Sequence, residues 1–385
     1  MLRIGRDDDE LKALGAIWTA REIEQQPEML RETFATLAAR RAEVEGFVRP
    51  LMAQADMRTI LTGAGTSAFI GECLAPYLAA RLLGRVEAIA TTDLVSAPYF
   101  YFEPQTPTLL VSFARSGNSP ESVAAAELAD RCVGVVHHLA VTCHPQGALA
   151  DKRRQGGNGL TVLLPEATHD RSFAMTSSFT CMLTAALAAL AGFDGMQARI
   201  DRIAQSVGGV IAAQAQAMRM LAGQRHERVV YLGSHMFKGL AREAALKLLE
   251  LTDGQMVAAF DSPMGFRHGP KAIVNARTLV VIFLSNDDYT RQYDLDLLEE
   301  VRRDGRSGGV LAICAHDDDV PGGVERIVVP GMQDAEDVDL LVPYIVAPQM
   351  FAFEQSLARG VTPDSPNPSG TVNRVVQGVR IHPFT

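Results

Sequence analysis

Three places in this chain combine residue types and spacings that could do chemistry. Glu243, Lys247 and Glu250 lie in KGLAREAALKLLELT at i, i+4 and i+7, so a helix there carries all three on one face. Such a face can be a solvated stripe of salt bridges. It can equally be an acid-base device, in which the carboxylate beside a lysine stays anionic and accepts a proton while the ammonium stabilises charge developing on a carbonyl oxygen. In MGFRHGPKAI, His268 precedes Gly269 and Pro270. An imidazole on a restricted turn titrates near neutrality and could carry a proton.

The third place is a pair of glycine-rich turns. GAGTSAF, Gly63 to Phe69, follows the strand-like RTILT and opens a helix expected to run through Leu83. Its amides, with Gly65 and the hydroxyls of Thr66 and Ser67, suit an anion at a helix N-terminus. SFARSGNSPES, Ser112 to Ser122, sets Arg115, Ser116, Asn118 and Ser119 around Gly117, ahead of a helix beginning near Pro120. A cation, several hydroxyls and a helix start suit a phosphate ester. Either loop read alone can be no more than a capped turn. Two at the carboxyl ends of successive strands of one sheet point the same way. GAGTSAF also fits the dinucleotide pattern G-x-G-x-x-A, but that pattern expects an acid ~20 residues on, and Asp93 stands 28 beyond Gly65. His137, His138, Cys143 and His144 flank one strand, where alternate residues face opposite sides, so no metal site is expected of them.

The elements that must position these residues alternate regularly. Residues 10 to 52 read as a helical arm broken near Pro27. From Arg58 short β-rich runs (TILT, VEAIAT, TLLVSF, HLAVTC, LTVLLP) are separated by helical sequence, which argues for βαβ units on a parallel sheet. A helical stretch from Met196 to Leu221 leads to a second series, RVVYL, TLVVIFL, VLAIC and RIVVP. Offsets of 168 from Gly65 to Gly233 and 172 from Val141 to Ile313 indicate a tandem duplication of whole domains. The expected organisation is an N-terminal helical arm at 1–52, one α/β domain at 53–194, a linking helix at 195–224, a second α/β domain at 225–360 and a Pro-, Ser- and Asn-rich tail at 361–385.

Composition narrows the classes. At 385 residues the chain exceeds the ~250 to 300 at which a single core stops growing. A net charge of -9, with 36 Lys+Arg against 45 Asp+Glu, argues against nucleic acid as a partner. The five scattered cysteines suggest buried thiols rather than disulfides. MLRIGRDDDE lacks an apolar signal core, and the longest apolar stretch, Thr180 to Phe193, is shorter than the ~18 residues of a spanning helix, so no membrane role and a cytoplasmic location are expected.

Together the duplicated domain, GAGTSAF, SxxRSGNSPES, E-x3-K-x2-E and RHGP resemble the sugar isomerase (SIS) domain family. More closely, GAGTSAFIGE, RSGNSPESVAAAELA, THDRSFAMTSSFT, DSPMGFRHGPK, YTRQYDLDLL and SGTVNRVVQGVRIHPF are similar to the bacterial galactosamine-6-phosphate deaminase/isomerase group. The resemblance implies two tandem doubly wound parallel-sheet SIS domains. By similarity to the isomerase half of glucosamine-6-phosphate synthase, it implies Glu250 as the base moving a proton between C1 and C2, Lys247 alongside, Glu243 in support and His268 opening the sugar ring from a partner subunit. Phosphate would rest on Thr66, Ser67, Ser116, Gly117 and Ser119. Ala114 stands where that synthase has a further serine and Thr371 where its tail offers a lysine, which shifts phosphate contact toward Arg115.

The expected activity is conversion of an amino-hexose 6-phosphate, foremost D-galactosamine 6-phosphate, to a ketose 6-phosphate and ammonia. Acid-base groups suffice for that chemistry, so neither metal nor organic cofactor is implied. The expected partners are the sugar phosphate and further copies of the chain, as a homodimer or higher oligomer. Plain aldose/ketose isomerisation, glucosamine 6-phosphate deamination, a non-catalytic sugar-phosphate sensor and a dehydrogenase are the alternatives.

Overall fold

The computed structural model describes residues 2–150, 158–224, 226–376 and 378–384. After a short antiparallel hairpin, β1 (Leu2–Arg3) and β2 (Arg6–Asp7), the strands form two wholly parallel five-stranded sheets. The first contains β3 (Arg58–Thr62), β4 (Arg85–Ala88), β5 (Thr108–Ala114), β6 (Val136–Thr142) and β7 (Gly159–Leu163), in the order β4-β3-β5-β6-β7. The second contains β8 (Arg228–Gly233), β9 (Val257–Asp261), β10 (Thr278–Phe283), β11 (Gly309–Cys314) and β12 (Glu325–Val328), in the order β9-β8-β10-β11-β12. Both are the doubly wound order 2-1-3-4-5, whose ligand crevice lies where the strand order reverses, at the carboxyl ends of the first and third strands. Those ends carry GAGTS and RSGNS in the first sheet. The tandem doubly wound α/β architecture expected from the sequence is the one observed.

Registers define the duplication residue by residue. Arg58 pairs with Thr108 and Arg228 with Thr278, so these strands are offset by 170. The counterpart of Gly233 is therefore Gly63 rather than Gly65, a shift of two from the sequence alignment. Geometry explains why glycine recurs there. A Cβ on Gly63 would lie 2.6 Å from the Ser67 backbone and Cβ, and one on Gly233 would lie 2.5 Å from Phe237 O. In both copies the helix starts so tightly after the strand that only a hydrogen fits.

Parallel strands covered on both faces read as continuous apolar runs, and β3, β5 and β10 are buried at every position. Ile60 and Leu110 pack with Ala125 and Ala129 of the helix Pro120–Cys132, while Val230, Val280 and Ile282 pack with Leu297 and Leu298 of the helix Asp288–Asp304. The strand that patterning missed is β9. VAAFD at a sheet edge is half exposed and lacks the β-branched run that marked the others.

The described residues fall into two compact units, neither continuous in sequence. The first sheet lies in the unit made of Glu28–Asp170, Ser177–Ile200 and Ser369–Thr385. The second lies in the unit made of Met1–Pro27, Arg171–Thr176 and Asp201–Pro368. In place of one arm broken near Pro27, four helices occupy the N-terminal region: Asp8–Ala13, Ile17–Glu24, Gln26–Ala39 and Arg41–Met52. The carboxylate of Asp364 accepts from the Trp18 and Thr19 amides, and buried Glu22 accepts from the amide and hydroxyl of Ser172. These bonds tie remote segments into the second unit. Among the described residues no helix is long and apolar enough to cross a membrane.

Gly233→Ala is expected to lower stability by about 1 to 3 kcal/mol, the usual cost of forcing an extra carbon into a packed site. Urea unfolding of the variant measures it directly, and a midpoint equal to wild type would show that the turn relaxes.

Candidate active site

The helix Met236–Leu251 carries the acid-base face. It packs on β8, β9 and the helix Asp337–Ala358, with Leu240, Ala241, Ala244 and Leu248 fully buried. The sequence dictates this. Two turns of leucine and alanine form a core stripe, and the small residues let the neighbouring helix approach closely. Glu243 and Lys247 are both buried to 0% exposure, whereas the side chain of Glu250 is 24% exposed. Lys247 Nζ donates to Glu250 Oε2 and lies 3.6 Å from Glu243 Oε1. This is no solvated stripe: one dry ammonium sits between a dry carboxylate and a wet one. Of the three only Glu250 meets solvent, and it does so in direct contact with the ammonium. A proton acceptor with one accessible face next to a buried cation is equipped to take a proton from carbon while the developing charge is held.

His268 belongs to the same unit but has no hydrogen bond to Glu243, Lys247 or Glu250. It is exposed, on a loop between the short helix Pro263–Phe266 and the 3-10 turn Pro270–Ile273. Its flanks are clamped. Arg267 Nε donates to Glu300 Oε2 at 2.8 Å, and Lys271 Nζ pairs with the other Glu300 oxygen and with Asp304. Those bonds hold the carboxyl groups of Glu300 and Asp304 below their ordinary range and raise Lys271. The loop is thus pinned on both sides of an imidazole that projects outward.

In the first sheet, Gly65 caps the helix Thr66–Ala79 at φ +56°, a left-handed conformation that a side chain disfavours. Thr66 and Ser67 are buried at the first turn, and Thr66 Oγ1 has no hydrogen-bond partner in the protein. A buried hydroxyl without a protein partner at the start of a helix is a donor placed to meet an acceptor. On the adjacent strand end, Ser119 caps the helix Pro120–Cys132 and donates to Ser122 Oγ, while Ser116 Oγ accepts from the Asn118 amide. The structure therefore gathers Gly65, Thr66, Ser67, Ser116, Gly117 and Ser119 on neighbouring loops at the reversal point of one sheet.

Arg115 also reaches the tail. Its side chain is buried, and Nη2 donates to the carbonyl of Arg374 at 2.8 Å, so the guanidinium supports the tail. Arg374 in turn donates to the carbonyl of Asp170, whose carboxylate receives both Ser177 and Ser178 at the start of the helix Ser177–Ala191. The tail contacts join residues more than 200 apart in sequence, too distant for spacing to expose, while Asp170 meets Ser177 and Ser178 across a short loop. The strings THDRSFAMTSSFT and SGTVNRVVQGVRIHPF were their only trace.

The two doubly wound parallel sheets are the architecture of a sugar isomerase (SIS) domain protein, and the SIS domain family matches over residues 51–192. The chain superposes with a TM-score of 0.90 on a tagatose-6-phosphate ketose/aldose isomerase from Escherichia coli, 43% identical, covering 95% of this chain and 96% of that one. The D-galactosamine-6-phosphate deaminase AgaS of Escherichia coli is 46% identical over 376 residues, covering 95% of this chain and 96% of the relative. That of Shewanella sp. is 44% identical over 379 residues, covering 98% and 94%. This chain belongs to the D-galactosamine-6-phosphate deaminase AgaS family of SIS-domain proteins.

Replacing Lys247 by methionine keeps the side-chain length but removes the ammonium from beside buried Glu243. Stability is expected to fall by about 3 to 5 kcal/mol near pH 7, as for other buried pairs cut on one side. Denaturant titration reads the loss. A cost below 1 kcal/mol would mean that Glu243 is protonated in the native protein.

Proposed function

We propose that this chain is an amino-sugar-6-phosphate deaminase that converts D-galactosamine 6-phosphate and water to tagatose 6-phosphate and ammonia. The observation that carries the reading is the dry Glu243–Lys247 pair with Glu250 alone presented to solvent beside the ammonium. His268 moves a proton on the ring oxygen and opens the sugar. Glu250 removes the proton from C2, and the C1 oxygen is protonated to give an enolamine. Returning a proton to C1 leaves an imine at C2, and water hydrolyses it, so nitrogen departs as ammonia. Thr66, Ser67, Ser116, Gly117 and Ser119 hold the phosphate. Arg115 acts indirectly, through the tail.

The family resemblance to a ketose/aldose isomerase supports a second reading, in which the same proton transfer runs without loss of nitrogen. An assay across galactosamine, glucosamine and N-acetylated 6-phosphates separates the two, because only deamination liberates ammonia in step with ketose. Glu250→Gln preserves shape and removes the base, so turnover should fall ~10²- to 10⁴-fold while sugar-phosphate binding persists. A variant that kept more than half of wild-type activity would remove Glu250 from the mechanism.

We also propose a homodimer, acting in the cytoplasm on its phosphorylated substrate, in which His268 serves the partner's Glu250. The exposed, outward imidazole on a clamped loop supports this arrangement. Mixing inactive Glu250→Gln with inactive His268→Ala protein should restore activity, since a mixed dimer contains one site with both groups intact. Confirmed subunit exchange without recovered activity would place both groups in one chain.

A further inference from the structure

The second sheet has its own reversal point, and its loops follow the plan of the first. After β8, Ser234 and His235 lead into the helix Met236–Leu251 as Ala64 and Gly65 lead into Thr66–Ala79. His235 adopts φ +36° and ψ -111°, close to the +56° and -130° of Gly65. A residue with a side chain here is strained, and such strain persists only where the surroundings enforce it. After β10, Leu284, Ser285, Asn286 and Asp287 lead into Asp288–Asp304, with Asp287 as the cap where the first copy has Ser119.

These loops converge on carboxylates of the same chain. Ser285 Oγ donates to Asp337 Oδ2 at 2.5 Å, the Asn286 amide donates to Asp337 Oδ1 at 2.7 Å, and His235 Nε2 stands 3.1 Å from Asp337 Oδ2. Below them Ser234 Oγ and the Ser285 amide bond the two oxygens of Asp294. Hydroxyl, backbone amide and imidazole donors around one anionic group are the donor set of an oxyanion site. Asp337 is brought there by Asn286, whose side-chain amide grips the carbonyls of Met332, Gln333 and Ala335 just ahead of it. In the first copy the matching turn carries the buried Thr66 hydroxyl without a protein acceptor. At the equivalent positions Met236 and Phe237 replace Thr66 and Ser67.

We infer that the second copy retains an oxyanion site for a phosphate group which the chain fills with its own Asp337 carboxylate. One phosphorylated ligand site per chain then remains open despite the duplication, and His235 is held in its strained turn by the internal anion. Emptying the site should restore it. Removing the carboxylate frees the Ser285 hydroxyl, the Asn286 amide and His235, and a phosphate dianion supplies the missing acceptors.

The test counts inorganic phosphate bound per chain to the full-length protein by calorimetric titration, wild type against Asp337→Ala, with Asp337→Ser as the variant that retains a polar residue at the helix start. The expected result is one additional phosphate per chain in the variant, lost again when Ser285→Ala is added. The increment is the readout, so it stands whether or not the first copy binds phosphate, and a failure of the proposed catalytic role would leave it unchanged. Equal stoichiometry in wild type and in whichever Asp337 variant folds would overturn the inference. So would an additional phosphate that persists in the Ser285→Ala background.

Discussion

A lysine with no solvent contact is the constraint around which this protein is organised. Desolvating an ammonium costs several kcal/mol unless opposite charges and hydrogen bonds replace the lost water. Lys247 meets that requirement with Glu250 by a direct bond and with Glu243 at 3.6 Å. Both partners come from its own helix, so the arrangement depends on that helix being gripped. Leu240, Ala244 and Leu248 provide the grip from the buried stripe. The same packing decides which carboxylate is dry and which is wet, and thereby which can reach a substrate.

Duplication gave two copies of one backbone and two divergent uses of it. With an offset of 170, Glu243, Lys247 and Glu250 correspond to Cys73, Tyr77 and Ala80, so the first copy's helix has no acid-base face. Conversely, the first copy keeps hydroxyls and glycine at its reversal point, where the second has His235, Met236 and Phe237. Burial explains the separation. Asp294 sits deep enough that desolvation pushes its carboxyl up to about 6, even with bonds from Ser234 and Ser285. A reversal point filled by such groups has little use for another anion.

What the sequence determined by itself was local or periodic. Short β-rich runs marked nine of the ten strands of the two large sheets, most clearly β3, β5 and β10, which are buried at every position and need apolar residues on both faces. The i, i+4, i+7 spacing put three charged side chains on one face, and glycine beside hydroxyls marked loops that follow a strand and open a helix. The edge strand β9 escaped because VAAFD is half exposed and holds a single β-branched residue, at its start.

Only the tertiary structure decided which of those charges is dry, since a salt-bridge stripe and a buried pair have the same spacing and differ in what packs over them. It also turned Arg115 toward the carbonyl of Arg374, a contact across more than 250 residues. It brought Asp337 against Ser285 and Asn286, and settled that Gly63, not Gly65, is the counterpart of Gly233. Spacing carries information about neighbours along one helix or strand. Desolvation and hydrogen-bond partnership depend on segments that meet only when the chain has folded.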